Sequence, residues 1–190
     1  MVNIDDIEQA RERIDAHIKT TPLKRSEFLS KMLHGSVYLK LESEQISGSF
    51  KVRGALNRLM TLSTEEVSLG VITASTGNHG LGVAYAAKLL GINAKVVFPI
   101  NASVVKRNKM KQAGIEVIQE VDYDEIEPYA RKLASDRGLT YVSPYNDIEI
   151  VSGAGTTGLE ILEQLDDIDA IIVPIGGGGL ISGIATVIKA

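Results

Sequence analysis

The strongest constraint on the fold is a regular alternation of short apolar segments and amphipathic segments between residues 68 and 143. Apolar runs of strand length occupy residues 71–73, 95–98, 116–118 and 140–142, and the stretches 78–90, 103–113 and 124–137 carry apolar residues at helical spacing. Gly91, Gly114 and Gly138 follow these stretches, where glycine commonly ends a helix. Strands that alternate with helices form a parallel sheet covered by helices. The pattern therefore predicts a small αβα domain over residues 68–143.

The segments on either side have the same kinds of element. Helices are predicted to about residue 19, over 51–62, over about 156–165 and from about 180, with strands at 37–42 and 170–173. We predict an α/β chain of two three-layer αβα domains with parallel sheets, in which residues 1–62 and 146–190 form the large domain. The last helix reaches Ala190 without a cap or stop signal. We therefore expect the chain to be part of a longer one, with a large domain that is incomplete at its C-terminal end.

Composition and charge exclude several classes of function. The 190 residues are 44% hydrophobic, enough for a substantial core, and carry a net charge of −4 with scattered basic residues. This balance argues against a nucleic-acid partner and against binding to a membrane surface. The absence of cysteine excludes disulfides and thiolate metal sites, and we predict no metal ligands. With neither a signal peptide nor a spanning segment in the sequence, a cytoplasmic location is expected.

Lys51 is a candidate catalytic residue. It follows Ser-Gly-Ser-Phe at residues 47–50 and begins an amphipathic helix, whose amide dipoles are positive at that end, two residues before Arg53. A lysine becomes a nucleophile when desolvation or nearby positive charge lowers its pKa. Most lysines in a first helical turn are solvated surface residues, so this interpretation depends on the other motifs.

Residues 176–179 are four consecutive glycines between an apolar segment and a helix start. Without side chains, successive backbone N–H groups can converge on an anion, and the helix dipole favours negative charge there. The alternative is a plain connecting turn, but four glycines are entropically costly for that purpose. The run favours a phosphate site.

A second polar loop joins a predicted strand to a predicted helix at residues 74–80, which read Ala-Ser-Thr-Gly-Asn-His-Gly. One of Ser75, Thr76 and Asn78 would cap the helix, and the loop amides could hold a carboxylate or another small anion. His79 has an equally simple interpretation as a packed or capping histidine.

A third glycine motif resembles a dinucleotide fingerprint. Residues 153–158 spell G-x-G-x-x-G, after a plausible short strand and at the start of a predicted helix. The acidic residue that should follow about twenty positions later is missing, because the chain there reads Val173-Pro174-Ile175. The sequence therefore argues against NAD binding.

Together, the lysine segment, the 74–80 loop and the tetraglycine run resemble one family. They are similar to the fold-type II pyridoxal-phosphate enzymes of the tryptophan-synthase-β type, in particular the serine/threonine dehydratases (ammonia-lyases) and serine racemases. The three motifs occur in that family's order, and the resemblance covers nearly the whole chain. Members are typically longer by well over a hundred residues.

The resemblance implies a cofactor, pyridoxal 5'-phosphate, and a role for each motif. Lys51 would bind the cofactor as a Schiff base and shuttle the substrate α-proton, Phe50 would pack on the pyridine ring, and Asn78 would bond its 3′-oxygen. The phosphate would be held by a group of loop residues: Gly176, Gly177, Gly178, Gly179 and Leu180. The substrate carboxylate would be surrounded by residues of the other loop: Ser75, Thr76, Gly77 and His79.

The implied reaction is β-elimination from L-threonine or L-serine, which gives a 2-oxo acid and ammonia. A serine racemase is the alternative within the family, since the similar racemases place a serine hydroxyl where Thr76 stands, which gives Thr76 a possible catalytic role. Substrate preference is open because Leu81 and Ala154 stand where glutamine is common in relatives.

The partners implied are a small amino-acid substrate and further copies of the chain, in a dimer or a tetramer. Two other classes of function stay open: a catalytically incomplete binding module, and a nucleotide-binding protein that uses the tetraglycine run.

Overall fold

The computed structural model describes the backbone of residues 1–190 and every side chain except that of Lys106. Its α-helices are α1 Ile4–Ile14, α2 Glu27–Leu33, α3 Lys51–Met60, α4 Thr64–Leu69, α5 Asn78–Leu90, α6 Val104–Gln112, α7 Ile126–Arg137, α8 Ile148–Gln164 and α9 Gly179–Lys189. Its strands are β1 Leu23–Arg25, β2 Tyr38–Lys40, β3 Val71–Ala74, β4 Ala94–Val97, β5 Glu116–Ile118 and β6 Thr140–Tyr141. Short 3₁₀ turns lie at Asp15–His17, Glu42–Glu44 and Tyr123–Glu125.

A four-stranded parallel sheet forms from the alternating block, in the order β5-β4-β3-β6. Val71 of β3 pairs with Ala94 of β4 on one side and with Thr140 of β6 on the other. Gly91 and Gly138 end α5 and α7 in the left-handed conformation, with φ of 69° and 67°. The predicted α/β class and parallel sheet are thus confirmed, and the predicted helix ends are confirmed at these two glycines.

The two faces of this sheet pack against different helices because successive strand residues point to opposite sides. Val71 and Val96 share a core with α5 and α6, whereas Ile72 and Val97 pack against α7. The first core also contains Ile14 of α1 and a group of α3 residues: Ala55, Leu56 and Leu59. One continuous core therefore joins α1 and α3 to the sheet, and the division into two domains stays a prediction.

Helix α8 begins earlier than the sequence predicted, at Ile148 instead of about residue 156. The Asp147 side chain accepts hydrogen bonds from the backbone N–H groups of Glu149 and Ile150, which is an N-cap that the sequence analysis overlooked. The expectation that residues 153–158 follow a short strand and open a helix is wrong for the same reason, since they lie in the middle of α8.

The predicted strand at 170–173 is also wrong, because these described residues are in no helix or strand. Ile172 is 94% exposed. A strand needs a hydrogen-bonded neighbour, and none of the described strands pairs with this segment. Among the described residues of the predicted large domain, the strands are β1 and β2, an antiparallel pair in which Lys24 lies opposite Leu39. The strand β1 and the helices α2 and α4 are not predicted from the sequence, and all three are short.

None of the described helices is long and apolar enough to cross a membrane.

Candidate active site

The first turn of α3 lies between two other helices at very close range. A Cβ atom on Gly82 of α5 would lie 3.1 Å from the Lys51 carbonyl oxygen, and a Cβ on Gly54 would lie 2.6 Å from the Ile150 carbonyl of α8. Gly48, in the turn that precedes the helix, has φ 78°, a conformation that favours glycine. Small residues therefore let α5 and α8 fix the backbone around Lys51.

The Lys51 side chain is partly buried, and its Nζ donates a hydrogen bond of 2.6 Å to the Pro144 carbonyl. The same Nζ lies 5.2 Å from the centroid of the Phe50 ring. Burial lowers the pKa of Lys51. The positive charge of Arg53 is not needed to explain why the pKa of Lys51 is lowered. A neutral amine is the form that can act as a nucleophile or accept a proton.

A cleft beside Lys51 brings the lysine segment to the end of the glycine loop. It is lined by residues from α3, α8, α9 and the segment after β6: Phe50, Lys51, Gly54, Pro144, Ile150, Ala154, Gly179 and Leu180. Phe50, Lys51, Gly179 and Leu180 are among the site residues that the sequence predicts. Two motifs separated by more than 120 residues thus share one cavity.

The glycine loop leads directly into α9. Gly178 has φ 86°, and the first hydrogen bond of the helix runs from Ser182 N–H to the Gly178 carbonyl. The N–H groups of Gly179 and Leu180 therefore have no partner within the helix. A Cβ on Gly176 or Gly178 would meet no atom within 4 Å, so one side of the loop is open. Amides without a partner at the positive end of a helix form a suitable site for a phosphate.

Gly77 is the N-cap of helix α5, and the Ser75 side chain binds the first turn of this helix. The Ser75 Oγ accepts hydrogen bonds from the N–H groups of Gly77 and Gly80, at 3.2 and 2.9 Å. The N–H groups of Asn78 and His79, in the first turn of the same helix, have no intrahelical partner. The Asn78 side chain is exposed, and Thr76 is partly buried. This loop can offer backbone N–H donors to a small anion.

His79 is buried, and its Nε2 lies 3.3 Å from the Val142 carbonyl. Because a carbonyl only accepts, Nε2 carries the proton, and Nδ1 is an acceptor that has no hydrogen-bond partner among the described residues. Burial, and then the positive charge of Lys51, lowers the pKa of His79 to about 3. The imidazole is therefore neutral at physiological pH. The group that His79 can offer to a carboxylate is its backbone N–H.

Comparison with known proteins assigns the chain to a family. The sequence model described as "Pyridoxal-phosphate dependent enzyme" matches residues 14–190. The chain belongs to this family.

Individual relatives are similar over the entire chain. The L-threonine dehydratase catabolic TdcB of Staphylococcus aureus is 47% identical over 191 residues, which cover 100% of this chain and 55% of that protein. The structure of maize serine racemase superposes with a TM-score of 0.95 at 41% identity, covering 99% of this chain and 57% of that one. The processed threonine deaminase isoform 2 of Solanum lycopersicum gives 0.90 at 40% identity, covering 98% and 53%. The chain therefore spans about half the length of the curated relatives that it matches.

The residues of the site fit the cofactor for which the family is named. Lys51 has no carboxylate partner among the described residues, so its amine is available to an aldehyde. The start of α9 offers unpaired amides to a phosphate, and the open faces of Gly176 and Gly178 leave room for it.

The structure does not bring all the predicted site residues into this cleft. Residues of the 74–80 loop and Gly176, Gly177 and Gly178 are outside its lining. A backbone link joins the 74–80 loop to the cleft, because His79 bonds to the Val142 carbonyl and Lys51 to the Pro144 carbonyl, two residues along the same segment.

Sequence reasoning missed the part played by the segment after β6. Tyr145 lies so close to the glycine loop that a Cβ on Gly177 would be 2.2 Å from its ring, and its hydroxyl donates to Glu127 of α7 at 3.1 Å. The sequence signal for this segment was an aromatic residue directly after a proline. The contacts of Tyr145 and Pro144 could not be predicted from it, because they are made with residues distant in sequence.

Proposed function

We propose that this chain is the part of a pyridoxal 5'-phosphate-dependent ammonia-lyase that holds the cofactor, and that the whole protein converts L-threonine or L-serine to a 2-oxo acid and ammonia. The observation that carries the proposal is that Lys51 and the N-terminus of α9 line one cleft. Lys51, whose amine can capture an aldehyde, lines the same cleft as Gly179 and Leu180, whose amides can bind a phosphate.

Similarity over the chain favours this reaction within the family. The curated relative with 47% identity is named an L-threonine dehydratase, and a superposed plant structure is a threonine deaminase. Bound at this site, the cofactor would act as the electron sink for the carbanion that forms when the substrate α-proton is removed.

Lys51 would be both the attachment point and the base. Its lowered pKa increases the fraction of neutral amine at physiological pH, and a neutral amine can accept the α-proton. The carbonyl of Pro144 would hold the resulting ammonium group in place by accepting the hydrogen bond that it already accepts. The Lys51 ammonium would return this proton to the β-hydroxyl, which would leave as water. Hydrolysis of the enamine by one water would then give the 2-oxo acid and ammonia.

The two glycine-containing loops would orient the reactants. The amides of Gly179 and Leu180 would bind the phosphate, with Gly176, Gly177 and Gly178 allowing close approach, and Phe50 would pack on the pyridine ring. The substrate carboxylate would bind at the 74–80 loop through the N–H groups of Asn78 and His79, with Ser75, Thr76 and Gly77 around it. The Asn78 side chain, exposed at the start of α5, would bond the 3′-oxygen of the ring.

Trapping the cofactor tests the attachment site. Purified protein is mixed with pyridoxal 5'-phosphate, reduced with borohydride and digested, and the modified lysine is located by mass spectrometry. We expect a visible absorbance band and modification of Lys51, and Lys51→Ala should lose both, with activity falling by about 10²–10⁴-fold, the usual contribution of a general base. The exposed Lys31→Ala variant is the matched control. Modification of surface lysines alone would refute the proposal and favour a binding module.

A serine racemase is the second candidate, because the maize serine racemase superposes with a TM-score of 0.95. Racemisation needs a proton donor on the face of the substrate opposite Lys51, and Thr76 is the candidate from the sequence. Products of L-serine and L-threonine are analysed for 2-oxo acid and for the D-isomer. Formation of 2-oxo acid without D-isomer excludes the racemase.

A dimer or tetramer, a cytoplasmic location and an amino-acid substrate for the whole protein stay proposals. Light scattering of the purified protein measures the oligomeric state.

If ATP or another nucleotide protects the glycine loop from proteolysis and pyridoxal 5'-phosphate does not, the nucleotide-binding alternative is correct.

A further inference from the structure

Two buried and two partly buried charged side chains form a cluster at the lysine helix: Arg53 and Glu160, with Lys40 and Glu42. We refer to them as the buried charge cluster. Arg53 is 0% exposed and Glu160 is 1% exposed, and the two positive charges balance the two negative ones. No step of the proposed reaction uses these groups.

Arg53 is the centre of the cluster. Its Nε and Nη2 donate to the two carboxylate oxygens of Glu42, at 2.9 and 2.8 Å, and its Nη1 donates to Glu160 at 2.6 Å. Burial opposes the charge on Arg53, but the hydrogen bonds to the two carboxylates offset it, so that the pKa of Arg53 is raised. The second oxygen of Glu160 accepts from Lys40 Nζ and from the Thr21 N–H. The guanidinium fork is therefore held in one orientation by two carboxylates.

Stability alone is a weak reason for such a cluster. Removing the charges of Arg53 and Glu160 from water is expensive, and apolar side chains of similar volume commonly give an equally stable or more stable protein. A planar guanidinium bound to two carboxylates does supply a defined geometry, which apolar side chains would not.

The geometry that the cluster defines includes the direction of Lys51. Successive residues of an α-helix are about 100° apart, so Lys51 and Arg53 point to nearly opposite sides of α3. Arg53 is bound to Glu160 on α8 and to Glu42 in the turn that precedes the lysine segment. Because one side of α3 is clamped in this way, the other side presents Lys51 to Pro144 and the cleft.

The same helix α8 also supports the glycine loop. A Cβ on Gly153 of α8 would lie 2.6 Å from the Arg53 carbonyl, and a Cβ on Gly183 of α9 would lie 2.6 Å from the Gly155 nitrogen. Helices α3 and α9 thus both contact the backbone of α8. A rotation of α3 on α8 would move Lys51 relative to the start of α9.

We propose that Arg53 is a positioning residue for Lys51, which it orients toward the cleft by clamping α3 to Glu42 and Glu160. The inference rests on the proposed function in one respect, since Lys51 needs a fixed direction only if it carries the cofactor. The clamp itself is tested without cofactor.

The test measures how readily Lys51 loses its proton. The protein is labelled with trace acetic anhydride between pH 7 and pH 10, and mass spectrometry gives the labelling midpoint of Lys51 relative to exposed Lys31. The decisive variant replaces Arg53 and Glu160 together by methionine, which leaves Lys40 and Glu42 to balance each other. We expect this variant to fold and its Lys51 midpoint to move toward that of Lys31. If the midpoint rises by about one pH unit, the fraction of neutral amine at pH 8 falls about tenfold.

The control is Arg58→Met, on the same helix, whose ion pairs join Asp147 and Glu66. It should leave the Lys51 midpoint unchanged. An unchanged midpoint in the folded double variant, or an equal change in Arg58→Met, would overturn the proposal. If the double variant does not fold, Arg53→Lys takes its place, because it keeps the charge but lacks the planar guanidinium. Its Lys51 labelling midpoint is then compared with that of the native protein in the same way. A wild-type protein that fails to bind pyridoxal 5'-phosphate, together with variants that show these changes in midpoint, would refute the proposed function and leave the clamp intact.

Discussion

Backbone carbonyls hold the two titratable groups of the cleft region. Lys51 donates to Pro144 and His79 to Val142, and no carboxylate pairs with either group among the described residues. Burial without a counter-charge favours the neutral form of a base, which lowers both pKa values. The site thus favours the neutral form of an amine and keeps an imidazole uncharged at physiological pH.

The buried imidazole predicts a loss of stability in acid. The pKa of His79 is lowered to about 3 in the folded protein, against about 6.5 when unfolded, so between these values the unfolded chain binds the additional proton. This contribution to stability is complete above pH 6.5 and is lost as the pH falls toward 3. We expect His79 to account for about 2 kcal/mol of the decrease in unfolding free energy between pH 7 and pH 5.

Urea unfolding at both pH values checks this, with His79→Gln compared to the native protein. The variant retains a side-chain N–H donor but cannot titrate, so its pH dependence should be smaller by that amount. His34→Asn, at an exposed position with φ 52°, is the matched control variant. Equal slopes for His79→Gln and the native protein would contradict the buried, neutral imidazole.

At the scale of elements, glycines allow α8 to contact two other helices through its backbone. Gly153 faces the Arg53 carbonyl, and Gly155 faces Gly183 of α9. The residues 153–158, which look like a dinucleotide fingerprint, are therefore a packing surface of α8. Through it α8 contacts both α3, which carries Lys51, and α9, which follows the glycine loop.

Replacing Gly183 by alanine should disturb this contact. The added Cβ would lie 2.6 Å from the Gly155 nitrogen and 2.7 Å from the Val151 carbonyl oxygen, and neither backbone atom can move aside on its own. We expect a loss of about 1–3 kcal/mol of unfolding free energy, the usual cost of overpacking. Chemical denaturation measures it. Gly35→Ala, where the nearest atom would be 3.9 Å away, should change stability by less than about 0.5 kcal/mol.

At the scale of the whole molecule, contacts between residues distant in sequence join the N-terminal third of the chain to α8. The buried charge cluster connects β2 and α3 to α8, and the larger core runs from Ile14 to Ile150. Residues 170–175 stand apart from this packing, with Ile172 and Ile175 exposed. The stability of the described part therefore depends on contacts between its N-terminal third and α8.

Two glutamates three residues apart on α8 should differ greatly in their effect on stability. Glu160→Ala removes a carboxylate from buried Arg53 and Lys40 and should cost about 3–5 kcal/mol. Glu163→Ala removes an exposed ion pair with Arg11 and should cost at most about 1 kcal/mol. Urea unfolding of the two variants checks the difference. Equal losses would mean that the cluster does not join the segments as described.

Much of the fold could be predicted from the sequence because its signals are local. The period of apolar residues located α3, α5 and the strands of the parallel sheet to within one or two residues, and glycine marked the ends of α5 and α7. Short elements such as β1 and α2 carry too few residues for a period to be recognised. The strand predicted at 170–173 failed because a strand also requires a neighbour, which a local pattern does not report.

The sequence by itself determined the α/β class, the parallel sheet and the three motifs that carry the family resemblance, since each depends on residue type and spacing along the chain. Only the tertiary structure decided that Lys51 and Gly179 share a cleft, that residues 153–158 are a helix contact, and that Arg53 is neutralised by Glu42 and Glu160. These facts depend on distances between segments up to about 130 residues apart, and such distances are set by packing and burial.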